Sequence, residues 1–227
     1  MIRVGLVAQF VLAIGAAALP AWSQTAGRSD ELILQTLQLH PDLGRGKRTF
    51  LKLCSSCHGR NARGNAEDSV PALAGQHPSY LIKQLADFAE LERDVPEMHR
   101  TFANPRVSQP QQFIDLAAFL KGLKPNRSPQ HGAGNALPMG GRVYDAACAE
   151  CHGDSGEGSE GVFVPMLRGQ HYSYLLLQMR KLATGHRYNT APEVMTLLDS
   201  LSAEQMAAVA DFITRLTPPE KPGSGSR

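Results

Sequence analysis

Apolar residues recur along this chain at the three-to-four-residue spacing of a helix, and they do so in two rounds. In the first round Leu81, Leu85 and Phe88 mark an amphipathic helix over Tyr80–Ala89. Phe113, Leu116, Phe119 and Leu120 then stripe another over Gln111–Leu123. In the second round Tyr174–Ala183 takes the first place, and Met206, Val209, Phe212 and Ile213 stripe Ala203–Leu216. Ser202 with Gln205 three residues on reads as a capping box at the start of that last helix. A shorter apolar stretch between Arg28 and His40 predicts a helix ended by Pro41 and packed on the first round. Asp42 then reads as a new helix start, leading through Gly46, Phe50 and Leu53. Gly140, Tyr144 and Ala147 hold the equivalent places later. A glycine on the face that carries an aromatic lets another helix cross closely, and the last helix of each round is the expected partner.

The two rounds are an internal duplication. Val70-Pro71-Ala72-Leu73-Ala74-Gly75-Gln76-His77 is matched by Val164-Pro165-Met166-Leu167-Arg168-Gly169-Gln170-His171, each position 94 residues after its counterpart. The expected organisation is all-α: a first domain over 24–124, a Pro/Gly/Asn/Ser-rich linker over 125–138, a second domain over 139–217 and a tail over 218–227. Hydrophobic residues make up 42% and charged residues 19% of the 227, so a folded globular protein is expected. A formal charge of +2, similarly balanced in the two halves, argues against a nucleic-acid footprint.

The N-terminus adds a destination. Arg3 followed by an apolar run from Val4 to Leu19, then Ala21-Trp22-Ser23, reads as an export signal over 1–23 cleaved before Gln24. The run is short for a bilayer span, which takes about 20 residues; an uncleaved anchor is the alternative.

Candidate chemistry lies where the first helix of each round ends, at Cys54-Ser55-Ser56-Cys57-His58 and Cys148-Ala149-Glu150-Cys151-His152. C-x-x-C-H is the attachment signature of c-type haem. Two cysteines three apart on a helical turn face one way, as thioethers to the two vinyl groups of one haem edge require, and the adjacent histidine binds the iron. A zinc site would need a second ligand pair at the right spacing, and a thioredoxin-like site a βαβ pattern; neither is present. All four cysteines of the chain fall in these motifs. Two covalently attached haem c groups are therefore expected. Pro71 and Pro165 each stand 13 residues beyond a motif histidine, where a carbonyl can accept the Nδ1 hydrogen and leave Nε2 for the iron. A turn role is the alternative. The repeated Gln76, His77, Gln170 and His171 are open between contacts to haem propionates and contacts between the domains.

The sixth ligand decides between electron transfer and catalysis, because a thioether both raises the reduction potential and closes the iron. Of the methionines that follow the second motif, Met166, Met179 and Met206 have packing explanations. Met195, in a loop after Pro192-Glu193, is the expected ligand. In the first half Met98, after Pro96-Glu97, is the candidate, with His99 or an open position as alternatives.

On these paired C-x-x-C-H motifs, the paired Pro-x-Leu-x-Gly-Gln-His-x-x-Tyr-Leu segments and the paired methionines before a closing helix, the chain resembles the dihaem cytochromes of the cytochrome c4 family from about Gly44 to Leu216. The resemblance implies two class I cytochrome c domains related by pseudo-twofold symmetry and a periplasmic location, with which a peripheral membrane association is compatible. It further implies a non-enzymatic role carrying electrons from a quinol-oxidising complex to a terminal oxidase. The alternative is a dihaem subunit of a sulfide- or thiosulfate-oxidising enzyme. The segment after Met98 departs from the family pattern.

Overall fold

The computed structural model describes residues 27–218. The expected export signal over 1–23 and all but the first residue of the expected tail lie outside them. The first half comprises α1 (Arg28–Leu37), α2 (Leu43–Leu53), α3 (Ser55–His58), α4 (Pro78–Ala89), α5 (Pro96–Phe102) and α6 (Pro110–Lys121). The second comprises α7 (Leu137–Ala147), α8 (Ala149–His152), α9 (Tyr172–Ala183), α10 (Pro192–Asp199) and α11 (Ala203–Thr214). Extended pairing among the described residues is limited to two isolated bridges, Asn65 to Val70 and Ser159 to Val164. The fold is all-helical, as expected, and no described helix is long and apolar enough to cross a membrane.

In each half the first long helix crosses the last. α2 packs on α6 and α7 on α11, and the crossing is made by glycine. A Cβ on Gly46 would lie 2.1 Å from the carbonyl oxygen of Asp115, and one on Gly140 would lie 2.2 Å from that of Ala208. The aromatic one turn on closes each crossing: the Phe50 and Phe119 rings are 5.6 Å apart and those of Tyr144 and Phe212 5.7 Å. Phe50, Phe113, Leu116, Tyr144, Val209 and Ile213 are almost wholly buried, so each half has its own core around its crossing. Asp42 caps α2, accepting from Arg45 N at 2.8 Å. The capping box at Ser202 and Gln205 forms at α11.

Proline sets several boundaries differently from the apolar pattern. Pro78 and Pro110 occupy the first turns of α4 and α6, where a missing N–H costs nothing. These helices therefore start before the Tyr80 and Gln111 that periodicity marks. Pro192 does the same for α10, so Met195 lies on a helix rather than in a loop.

α1 packs on α4 and α6. Among the described residues the second half has no such helix; the stretch expected as a linker runs over α9 and α11 instead. Tyr172 N donates to Gln130 O (3.0 Å), and Gly132 and Gly134 donate to the Asp211 carboxylate at 2.9 and 2.7 Å.

The candidate haem sites and the interface between them

Each C-x-x-C-H segment forms a single helical turn at the end of a long helix. Cys54 and Cys148 are the N-caps of α3 and α8, half-buried, while Cys57 and Cys151 are exposed one turn on; all four are unpaired. Burial, and then the neighbouring cysteine, pushes the Cys54 and Cys148 thiols up to about 11. The thiols are neutral, and no group of three or more His, Cys, Asp or Glu able to hold a metal ion occurs among the described residues.

The motif histidines turn inward. His58 Nδ1 lies 3.1 Å from the carbonyl oxygen of Pro71, and His152 Nδ1 3.1 Å from that of Pro165. Burial pulls both imidazoles below their ordinary range, against the opposing effect of these bonds. A carbonyl only accepts, so the neutral ring carries its hydrogen on Nδ1 and presents a lone pair at Nε2. The loop that brings each carbonyl back depends on glycine. Gly64 (φ +75°) and Gly158 (φ +70°) donate to His58 O and His152 O, and a Cβ on either would lie within 2.6 Å of the returning proline peptide.

Of the methionines, Met166, Met179 and Met206 are buried. Met195 is half-buried on α10 and does not join the second core cluster. Met98 is half-buried near the start of α5, against the first core. Its neighbour His99 is engaged at one ring nitrogen: Nε2 lies 2.8 Å from Arg93 O. The donor set in each half, two neutral thiols one turn apart beside an imidazole with a free Nε2, fits a covalently attached haem.

The repeated glutamines and histidines face the other half. Gln76 clasps the Met166 peptide, donating to its carbonyl (2.9 Å) and accepting from its N–H (2.8 Å). Gln170 does the same to Ala72, at 3.0 and 2.9 Å. His77 Nε2 lies 2.7 Å from Glu157 O, and His171 Nε2 2.7 Å from Arg63 O. Every one of these pairs recurs with the halves exchanged, which makes the interface pseudo-twofold. Met166, aligned with Ala72, is buried here rather than in the second core. Arg93 and Arg187, also 94 apart, lie buried in the same interface; neither was expected from the sequence.

The family model for cytochrome c matches the chain twice, over residues 43–124 and 139–217. Cytochrome c4 of Azotobacter vinelandii is 32% identical over 188 residues, covering 76% of this chain and 87% of that protein. The chain belongs to the cytochrome c4 family. The crystal structure of reduced recombinant cytochrome c4 from Pseudomonas stutzeri superimposes with a TM-score of 0.69 at 26% identity, covering 78% of this chain and all of that one. A thiosulfate dehydrogenase electron acceptor of Stutzerimonas stutzeri is 29% identical over 173 residues, 72% of this chain and 78% of that protein. As a cytochrome c4 family member the chain is a dihaem electron carrier and not an enzyme, with one C-x-x-C haem-binding site in each cytochrome c domain.

Proposed function

We propose that this protein is an exported electron carrier in which both irons are closed on both faces. Cys54 and Cys57 hold one haem and Cys148 and Cys151 the other; His58 and Met98 ligate the first iron, His152 and Met195 the second. The bound haem supplies a one-electron couple at each iron. The chain's own groups orient and tune it. Pro71 and Pro165 hold each imidazole in the Nδ1–H tautomer and raise its basicity toward the metal. Met98 and Met195 would each supply a thioether to an iron, which raises its potential and fills its remaining position. The observation that carries the reading is the paired imidazole–proline geometry, which leaves Nε2 of both His58 and His152 unprotonated. Engagement of His99 Nε2 by the Arg93 carbonyl supports Met98 over His99.

In this reading the domains run over 24–124 and 139–217, joined by 125–138, and 1–23 is a cleaved signal for the periplasm. The donor is a quinol-oxidising complex and the acceptor a terminal oxidase. The likeness to a thiosulfate dehydrogenase electron acceptor supports a second reading, in which a periplasmic sulfur-compound oxidoreductase is the donor. Stopped-flow mixing of the oxidised protein with membranes supplied with quinol, and of the reduced protein with oxidase-containing membranes, tests the first reading. Fast exchange in both supports it. Inertness toward both, with rapid reduction by a thiosulfate-oxidising dehydrogenase, establishes the second.

A further inference from the structure

The two candidate haem sites share a scaffold but carry opposite charge at the surface. Over 43–69, from the start of α2 through the loop after the first motif, six basic residues stand against two acidic ones. Over the equivalent 137–163 the balance is one basic against five acidic. The reversal falls at matched positions. Arg60 and Arg63 in the first half are Asp154 and Glu157 in the second, and Ser56 is Glu150. The small net charge of the whole chain conceals this.

Of the six basic residues only Arg45 is in an ion pair among the described residues, with Asp42 and the buried Asp115. Lys47, Arg48, Lys52, Arg60 and Arg63 are exposed, and none of them pairs with a carboxylate there. Arg48 and Lys52 stand one turn apart on α2, on one face of it. Lys52 lies two residues before Cys54 and Arg60 two after His58, so the cations flank the motif on both sides. Cys57 between them is exposed. The two acidic residues, Glu67 and Asp68, follow only after the backbone turns at Gly64 (φ +75°), and Asp68 is engaged by Asn65 at 2.6 Å. No large apolar side chain is exposed from Lys47 to Arg63.

We propose that this cationic face is where the first haem meets a redox protein with an acidic surface, and that the second haem edge repels the same partner. The inference rests on the reading of one haem per half and names the partner chemistry of that site. In that reading the thioether to Cys57 brings a haem edge to this surface. Five unpaired cations around it set up an attractive potential for an approaching anionic surface and raise the encounter rate. Glu150 and Asp154 beside Cys151 do the reverse. A partner of one sign is thereby steered to one of two otherwise equivalent haems. An anionic lipid surface offers the same charge but carries no electron, and faces that bind lipid add apolar side chains to the basic ones, which this face lacks.

The test uses the reduced, haem-loaded full chain and hexacyanochromate(III), a paramagnetic and redox-inert trianion, followed by proton–nitrogen NMR. The expected result is line broadening of the amides around Lys52, Cys57 and Arg60, and none around Glu150, Cys151 and Asp154. Equal broadening at the two motifs, or broadening at the first that survives Lys52→Glu combined with Arg60→Glu, overturns the proposal. The same double variant is then mixed in stopped flow with the membranes and the thiosulfate-oxidising dehydrogenase named above. It is expected to slow at least one of these exchanges about tenfold at low ionic strength. Unchanged rates with all of them overturn the proposal. So does co-sedimentation with phosphatidylglycerol vesicles that the variant loses while every rate holds, since that assigns the face to lipid. Where charge reversal prevents assembly, Lys52→Gln with Arg60→Gln is expected to weaken the broadening at the first motif, and undiminished broadening again overturns the proposal. Fewer than two haems in the wild type would instead remove the reading beneath it, while the NMR map still reports the charge of the face.

Discussion

The carbonyl oxygen of Asp115 occupies the space that a side chain on Gly46 would need, 2.1 Å from where its Cβ would sit. Helix propensity favours alanine over glycine by about 1 kcal/mol, but here α2 would have to lift off α6. Gly46→Ala is therefore expected to lower the stability of the haem-loaded protein by about 1–3 kcal/mol net, and Gly140→Ala likewise. Gly44→Ala, whose Cβ would meet only the ends of the Asp42 and Arg48 side chains, is expected to be neutral or slightly stabilising. Urea unfolding followed by far-ultraviolet circular dichroism reads all three; a destabilised Gly44→Ala beside an unaffected Gly46→Ala would refute the crossing argument.

Gln76 and Gln170 each serve both groups of one buried peptide in the other half. Replacing either by alanine strands a buried N–H and a buried C=O, at about 1–3 kcal/mol for each unsatisfied group. Gln76→Ala and Gln170→Ala are expected to weaken the interface by similar amounts, since the two contacts are symmetric, and to do so without changing haem content. Thermal unfolding of the single and double variants measures this. An effect confined to one of the two would contradict the symmetry.

Gly64 lets the Pro71 carbonyl approach His58. In Gly64→Ala the added Cβ meets Val70 O at 2.3 Å and the backbone is held at a φ that alanine resists. The Nδ1–H bond lengthens, the imidazole becomes a poorer donor to iron, and the ferric state loses support. The potential of the first haem is expected to rise while the second stays in place, and Gly158→Ala should do the converse. Spectroelectrochemical titration separates the two irons; a fall in potential would reverse the sign of the argument.

The sulfur ligands are tested by near-infrared spectroscopy. Met195→His should remove one of two sulfur-to-iron charge-transfer bands and lower the potential of the second haem. His99→Ala should leave both bands intact, because its Nε2 is already engaged by Arg93 O. Loss of the first-haem band in His99→Ala would assign the ligand wrongly.

Much of this site was legible in the chain because its chemistry is local. Cys54, Cys57 and His58 sit on one turn, Pro71 follows at a repeated spacing, and Gly46 shares a face with Phe50. The interface was harder. Arg93 and Arg187 obey the same 94-residue offset as the motifs, but each stands alone in a connecting segment with no periodicity to mark it. Their partners, Tyr174 and Tyr80, come from the other half, so only tertiary structure brings them together. α10 was missed for a different reason: Pro192-Glu193 reads as a turn, although proline and an acidic residue also suit a helical first turn. The linker's role over α9 depends on backbone groups, such as Gln130 O, which no side-chain pattern reports.

The account stands on two haems, each closed by imidazole and thioether. Its most direct test is a pyridine haemochrome assay combined with carbon monoxide titration of the reduced full-length protein. Two covalently bound haems per chain, with a visible spectrum unchanged by carbon monoxide, are expected. One haem per chain, or an iron that takes up carbon monoxide, would contradict it.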